Sequence, residues 1–126
     1  NLKNIKILDA SWYLPGIKRD PEKEFRKQHI PNSIHFNIEK VSDKESKLPH
    51  MLPKKEKFSQ IISNMGIGNE DHIVIYSYDG ISTSPRVWWM FKYFGHNKVS
   101  ILNGGLNSIF GFEFSYYLLF LLENLT

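Results

Sequence analysis

The side chains in this chain with the chemistry for catalysis or binding are five histidines, a group of serines at Ser77, Ser82 and Ser84, and the cation Arg86, with no cysteine beside them. Without a thiol there is no sulfur nucleophile, no disulfide framework and no thiolate zinc site. A serine hydroxyl ionises only beside a base, and none of the three serines sits in the GxSxG turn that would provide a nucleophile elbow. His29, His35, His72 and His96 lack the paired spacing of a metal site, so no metal or other cofactor is expected. His50, between Pro49 and Met51, has the side chain suited to proton transfer near neutral pH, and equally one that fixes a loop. Asp9 and Asp79 read as a turn-former and a solvated loop acid, and His29 as a hydrogen-bonding group for the turn before the second strand. Asn103-Gly104-Gly105 reads as a tight strand exit, because no phosphate-loop pattern accompanies it.

Short β-prone apolar runs at Ile5 to Leu8, Ile34 to Phe36, Ile73 to Ser77 and Val99 to Leu102 alternate with polar and helical stretches. That alternation predicts a parallel α/β sheet. Phe58, Ile61, Ile62 and Met65 have helical spacing over Lys54 to Met65, with Pro53 at the entrance and Gly66 past the end. A second helix is expected from Ser84-Pro85, with Ser84 as cap and Val87, Trp88, Phe91 and Phe94 as its buried stripe, closing at Gly95. In such a sheet ligands collect beyond the carboxyl ends of the strands, so the loop from Ser77 to Ser84 is the expected site. Arg86 follows it directly, either to meet an anion or to brace the loop through its carbonyls.

Length and composition describe one domain with one core: 126 residues, 41% hydrophobic and 14% aromatic. Sixteen Lys and Arg against 13 Asp and Glu give a net charge of +3. This is too small for a nucleic-acid or membrane-binding surface, and Lys54, Lys55 and Lys57 read as a solvated helix start. Tyr116 to Leu122 is an unbroken apolar run, but it falls well short of the ~20 residues a bilayer span needs.

Four blocks occur in order: LDASWYL at Leu8 to Leu14, HIPNSIHFNIE at His29 to Glu39, LPHMLP at Leu48 to Pro53 and RVWWMFKYFGHNKVSILNGGL at Arg86 to Leu106. Together they resemble the amino-terminal half of the thiosulfate/3-mercaptopyruvate sulfurtransferases, which are tandem rhodanese-domain proteins. The resemblance implies a rhodanese-like three-layer α/β/α domain with a central, mainly parallel sheet over residues 1–109. Residues 110–126 then form a divergent apolar tail, either a terminal helix buried on the sheet or a segment that has lost the reading frame near Asn107.

In that family a cysteine of the second domain attacks the sulfur donor, becomes a persulfide and hands the sulfur to an acceptor. Its position in this chain is Ser77, which cannot form a persulfide, in keeping with the non-catalytic half of the pair. The resemblance further implies that His50 and Glu39 form two members of a proton relay whose third member, a serine, lies in the catalytic domain. The family's usual aspartate is here the longer Glu39. Trp88 is the better core residue by helical spacing, and Trp89 is left for an interface with the catalytic domain. The chain is thus expected to be inactive alone and to partner a missing or separate catalytic rhodanese domain, with no nucleic acid and no membrane span. Two alternatives stand: a standalone anion- or protein-binding module, and a remnant of a split or frameshifted gene. No secretory leader opens the sequence, so a cytoplasmic location is expected, with a mitochondrial one open for a eukaryotic source.

Overall fold

Four strands, β1 (Ile5–Asp9), β2 (Ile34–His35), β3 (His72–Tyr76) and β4 (Val99–Ile101), form a single sheet in the order β2-β1-β3-β4. All three strand pairings are parallel, with Leu8 beside Ile34, Ile7 beside Val74 and Ile75 beside Ile101. The computed structural model describes residues 4–79, 83–102 and 104–106. The expectations for Ser82, Asn103 and the tail from Asn107 fall outside the described residues.

Alternation along β3 explains the two cores. Ile73 and Ile75 face one side and pack with Leu8, Phe36, Phe58, Val87, Met90 and Phe91; Val74 and Tyr76 face the other and pack with Ile7, Ile30, Leu102 and Leu106. A strand buried on both faces reads as a continuous apolar run, which is the signature Ile73-Val74-Ile75-Tyr76 carries.

Four helices complete the described fold: α1 (Pro21–Lys27), α2 (Ile38–Val41), α3 (Lys55–Asn64) and α4 (Ser84–Tyr93). Phe58 and Ile62 of α3 are buried, with Ile61 and Met65 packed beside them. Gly66 follows at φ 79°, a left-handed conformation in which glycine carries no Cβ penalty. On α4 the buried set is Val87, Met90 and Phe91, while Trp88 and Phe94 are only partly buried. Met90 belongs to the stripe because it lies one turn beyond Val87, on the same helix face.

Two local expectations are corrected. Ser84 does not cap α4: it is the first helical residue, and Thr83 precedes it at φ −108°, ψ −18° without any side-chain cap hydrogen bond. With its backbone already helical, Ser84 is fully buried, and its hydroxyl has no hydrogen-bond partner. His29 does not close the turn before β2. Its ring stacks on Phe25 at 4.2 Å, and Nδ1–H donates to the Phe25 carbonyl at 2.6 Å, filling an acceptor left open at the end of α1. The turn is closed instead by Ser33 N–H to the Ile30 carbonyl, with Asn32 at φ 65°. Asp79 is the exposed loop acid expected, its side chain 46% accessible, and Arg19 Nη1 donates to its Oδ2 at 3.0 Å.

Helix α1 follows from capping chemistry rather than burial. Asp20 accepts from the amides of Glu22 and Lys23, Pro21 opens the helix, Glu22 and Glu24 occupy its first turn, and Arg26 and Lys27 its last. It buries no residue.

Candidate functional site

Strand order 2-1-3-4 sends the chain to one side after β1 and to the other after β3. The topological switch point, where parallel α/β sheets bind ligands, therefore lies between the carboxyl ends of these two strands. The loops leaving them are bonded together. Buried Asp9 accepts the Ser11 amide at 2.8 Å in a tight Asx turn, and Ser11 Oγ accepts the Tyr78 amide at 2.9 Å.

Glu39 enters from the next loop. Asn37 caps α2 by accepting the Lys40 amide, which sets Glu39 in the first turn at the carboxyl end of β2. His50 reaches it from the 48–53 loop: His50 Nε2 lies 2.6 Å from Glu39 Oε1. Trp12, three residues past β1, donates its indole Nε1–H to the same Glu39 oxygen at 2.9 Å and meets the His50 ring edge-on at 4.5 Å. The His50 hydrogen bond holds the Glu39 carboxyl below its ordinary acidity range against a partial desolvation, and the Trp12 bond acts in the same direction. An ionised Glu39 requires a donor on Nε2, so the neutral His50 ring keeps Nδ1 as its proton acceptor.

Arg86 completes the group from the first turn of α4. Its Nη2 donates to the His50 carbonyl, while its guanidinium lies 5.1 Å over the Trp89 ring. His50 itself stands at φ 55°, a left-handed conformation that a non-glycine residue occupies only under restraint. A second restraint comes from the Asp43 amide, which donates to the Met51 carbonyl at 2.9 Å. The structure thus brings His50, Glu39, Arg86 and Trp89 into one neighbourhood.

Ser77 is buried at the end of β3, where its carbonyl accepts the Leu106 amide at 3.0 Å. Trp89 is 41% exposed, whereas Trp88 is partly buried against the core with its indole N–H on the Val99 carbonyl. Among the described residues no group of three or more His, Asp or Glu could hold a metal ion, and no helix is long and apolar enough to cross a membrane.

Two residues that sequence reasoning passed over hold the site together. Trp12 was visible only as an aromatic after a strand end. Arg19 lies between the Tyr13 and Tyr78 rings, 4.0 and 5.1 Å from their centroids, and bonds both Glu24 and Asp79. It fastens the loop after β3 to the segment leading into α1.

The parallel sheet carries its polar constellation at the carboxyl ends of the strands, and residues 1–111 match the rhodanese-like domain. The chain belongs to the rhodanese-like family. It matches the amino-terminal half of the thiosulfate and 3-mercaptopyruvate sulfurtransferases. A 3-mercaptopyruvate sulfurtransferase of Homo sapiens is 48% identical over 104 residues, covering 81% of this chain and 35% of that protein. The mitochondrial thiosulfate/3-mercaptopyruvate sulfurtransferase 1 of Arabidopsis thaliana is 48% identical over 103 residues, 82% of this chain and 27% of that one. The crystal structure of a 3-mercaptopyruvate sulfotransferase from Escherichia coli superposes with a TM-score of 0.78 at 40% identity, covering 83% of this chain and 40% of the other. The chain spans about a third of the length of the curated relatives it matches.

Proposed function

We propose that this chain is the non-catalytic, supporting rhodanese-like domain of a thiosulfate/3-mercaptopyruvate sulfurtransferase. The observation that carries the reading is the 2.6 Å contact between His50 and Glu39 at the carboxyl end of the sheet, in a chain with no cysteine to receive sulfur. In the complete enzyme the persulfide forms on a cysteine of a separate catalytic domain. His50, oriented by Glu39, moves a proton to or from the reacting group there, and Trp89 with Arg86 forms part of the contact between the domains. Both functions use one face of the domain, which is why a supporting domain retains a polar site.

The test is an assay of the full chain for sulfur transfer from thiosulfate and from 3-mercaptopyruvate, alone and mixed with a cysteine-bearing catalytic rhodanese domain. No turnover is expected from the chain alone. In the mixture, activity is expected to rise with the added chain and to fall when His50→Ala replaces it. Turnover by the chain alone, surviving removal of contaminating enzymes, overturns the reading.

A second reading, a standalone module that binds an anion at the start of α4, draws support from the Thr83 and Ser84 hydroxyls, which are buried there without hydrogen-bond partners. Titration with thiosulfate, followed by the amide signals of Thr83 and Ser84, separates the two: saturable binding without a catalytic domain favours the module.

A further inference from the structure

Glu39 is an awkward residue with which to orient a histidine. Its side chain is 55% exposed, and it stands on a helix of only four residues. A free Glu stem at such a position samples many rotamers, and holding one of them costs entropy. Yet its Oε1 is met from two sides, by His50 Nε2 at 2.6 Å and by Trp12 Nε1 at 2.9 Å. The indole is the anchored partner. It follows directly on Ser11, whose amide is bonded to Asp9 and whose hydroxyl takes the Tyr78 amide, so it is carried by the junction between β1 and β3. An indole N–H donates and never accepts, so its partner must be an acceptor. The edge of the same indole meets the imidazole at 4.5 Å with an interplanar angle of 85°. One side chain therefore fixes the carboxylate and also walls the ring that the carboxylate orients.

We propose that Trp12 is a positioning residue: its indole N–H holds the Glu39 carboxylate where His50 can donate to it, and so keeps the His50 ring in one orientation with Nδ1 available for proton transfer. The inference rests on the reading of His50 and Glu39 as a proton-transfer pair, and it explains how the long Glu stem serves there. Without the indole bond the Glu39 carboxylate turns to solvent. The charged group that then competes for it is Lys44, whose positive charge already favours the ionised Glu39.

The experiment is solution NMR on the full chain and on Trp12→Phe and Glu39→Gln. Phenylalanine keeps a ring against His50 and removes only the donor. In Trp12→Phe the Glu39 carboxyl midpoint is expected to rise, because a hydrogen bond to the charged form is lost. The His50 ring N–H is expected to exchange with water roughly three- to tenfold faster, the population change that loss of one hydrogen bond brings. Unchanged values of both overturn the proposal. Glu39→Gln tests the underlying pair separately: if the His50 ring signals do not respond to it, the pairing itself fails, whatever Trp12 does. Wild-type chain alone supplies a third measurement that no folding defect can spoil. The Trp12 indole N–H shift should titrate with the Glu39 carboxyl, and a flat response overturns the proposal.

Discussion

Arg86, at the start of α4, holds the backbone of His50 by donating to its carbonyl from 36 residues away, and His50 is one of two non-glycine residues described with positive φ. The two facts belong together. A left-handed histidine is an unfavourable conformation that persists only where its surroundings over-determine it. Here the restraints are the guanidinium on the carbonyl, Glu39 on the ring and the neighbouring Met51 carbonyl on Asp43.

Arg86→Leu removes the donor while leaving an apolar stem. Stability is expected to fall by about 1–3 kcal/mol, the range for stranding a partly buried acceptor that had a charged donor. Arg86→Lys should recover only part of this, because an ammonium cannot reproduce the guanidinium's planar geometry over Trp89. Urea unfolding of the three proteins measures it.

Substitutions in the two aromatic and apolar layers should separate sharply. Ile75 is fully buried, so Ile75→Ala is expected to cost about 2–5 kcal/mol. Trp89→Ala, at a site 41% exposed, should cost far less in stability while weakening any association with a catalytic domain. Thermal unfolding and a binding titration read the two quantities independently.

Acid should loosen the amino end of the sheet through His72. Burial first, and then the neighbouring His96 and the Lys98 ammonium, hold its imidazole below the ordinary histidine range. Its Nε2 contacts Ser100 Oγ at 2.8 Å across β3 and β4. The unfolded chain takes up a proton near the ordinary value of about 6.5 that the folded chain refuses until lower pH. This contribution to stability is therefore complete above that value and lost as pH falls through the depressed folded value. His72→Gln should flatten this part of the stability profile, checked by denaturant midpoints across the range.

Arg19→Ala should act locally. Its two ion pairs are partly exposed, at 32% for Arg19 and 37% and 46% for Glu24 and Asp79, and such pairs contribute about 0.2–1 kcal/mol each. Global stability is expected to drop only slightly. Hydrogen exchange at the Tyr78 amide should accelerate well beyond that, because the clamp holding its loop is gone. Equal acceleration at Ile75 would instead mean that the whole domain had been destabilised.

Much of the framework was legible in the residues. The apolar run at Ile73 to Tyr76 marks a strand buried on both faces, the spacing of Phe58 and Ile62 marks α3, and Gly66 and Gly95 mark helix ends. The strand ends differ from expectation by a residue, at Asp9 and His72 for example, because ladder partners rather than composition decide where pairing stops. Helix α1 went unread because it has no apolar stripe, although Asp20-Pro21 followed by Glu22 and Glu24 is a strong start signal. The site was less legible. His50 and Glu39 were linked only through resemblance to a family, and Trp12 and Arg19 were not linked to anything.

The amino-acid sequence by itself determined the parallel α/β character of the sheet, its cores and the absence of a sulfur nucleophile, because these depend on local periodicity and on residue type. Only the tertiary structure decided that Trp12 and His50 converge on one Glu39 oxygen, that Arg86 holds the His50 carbonyl and that Arg19 reaches Asp79. Those contacts join segments 27, 11, 36 and 60 residues apart. No local pattern encodes such separations; the strand order β2-β1-β3-β4 does, by setting the carboxyl ends of distant strands side by side.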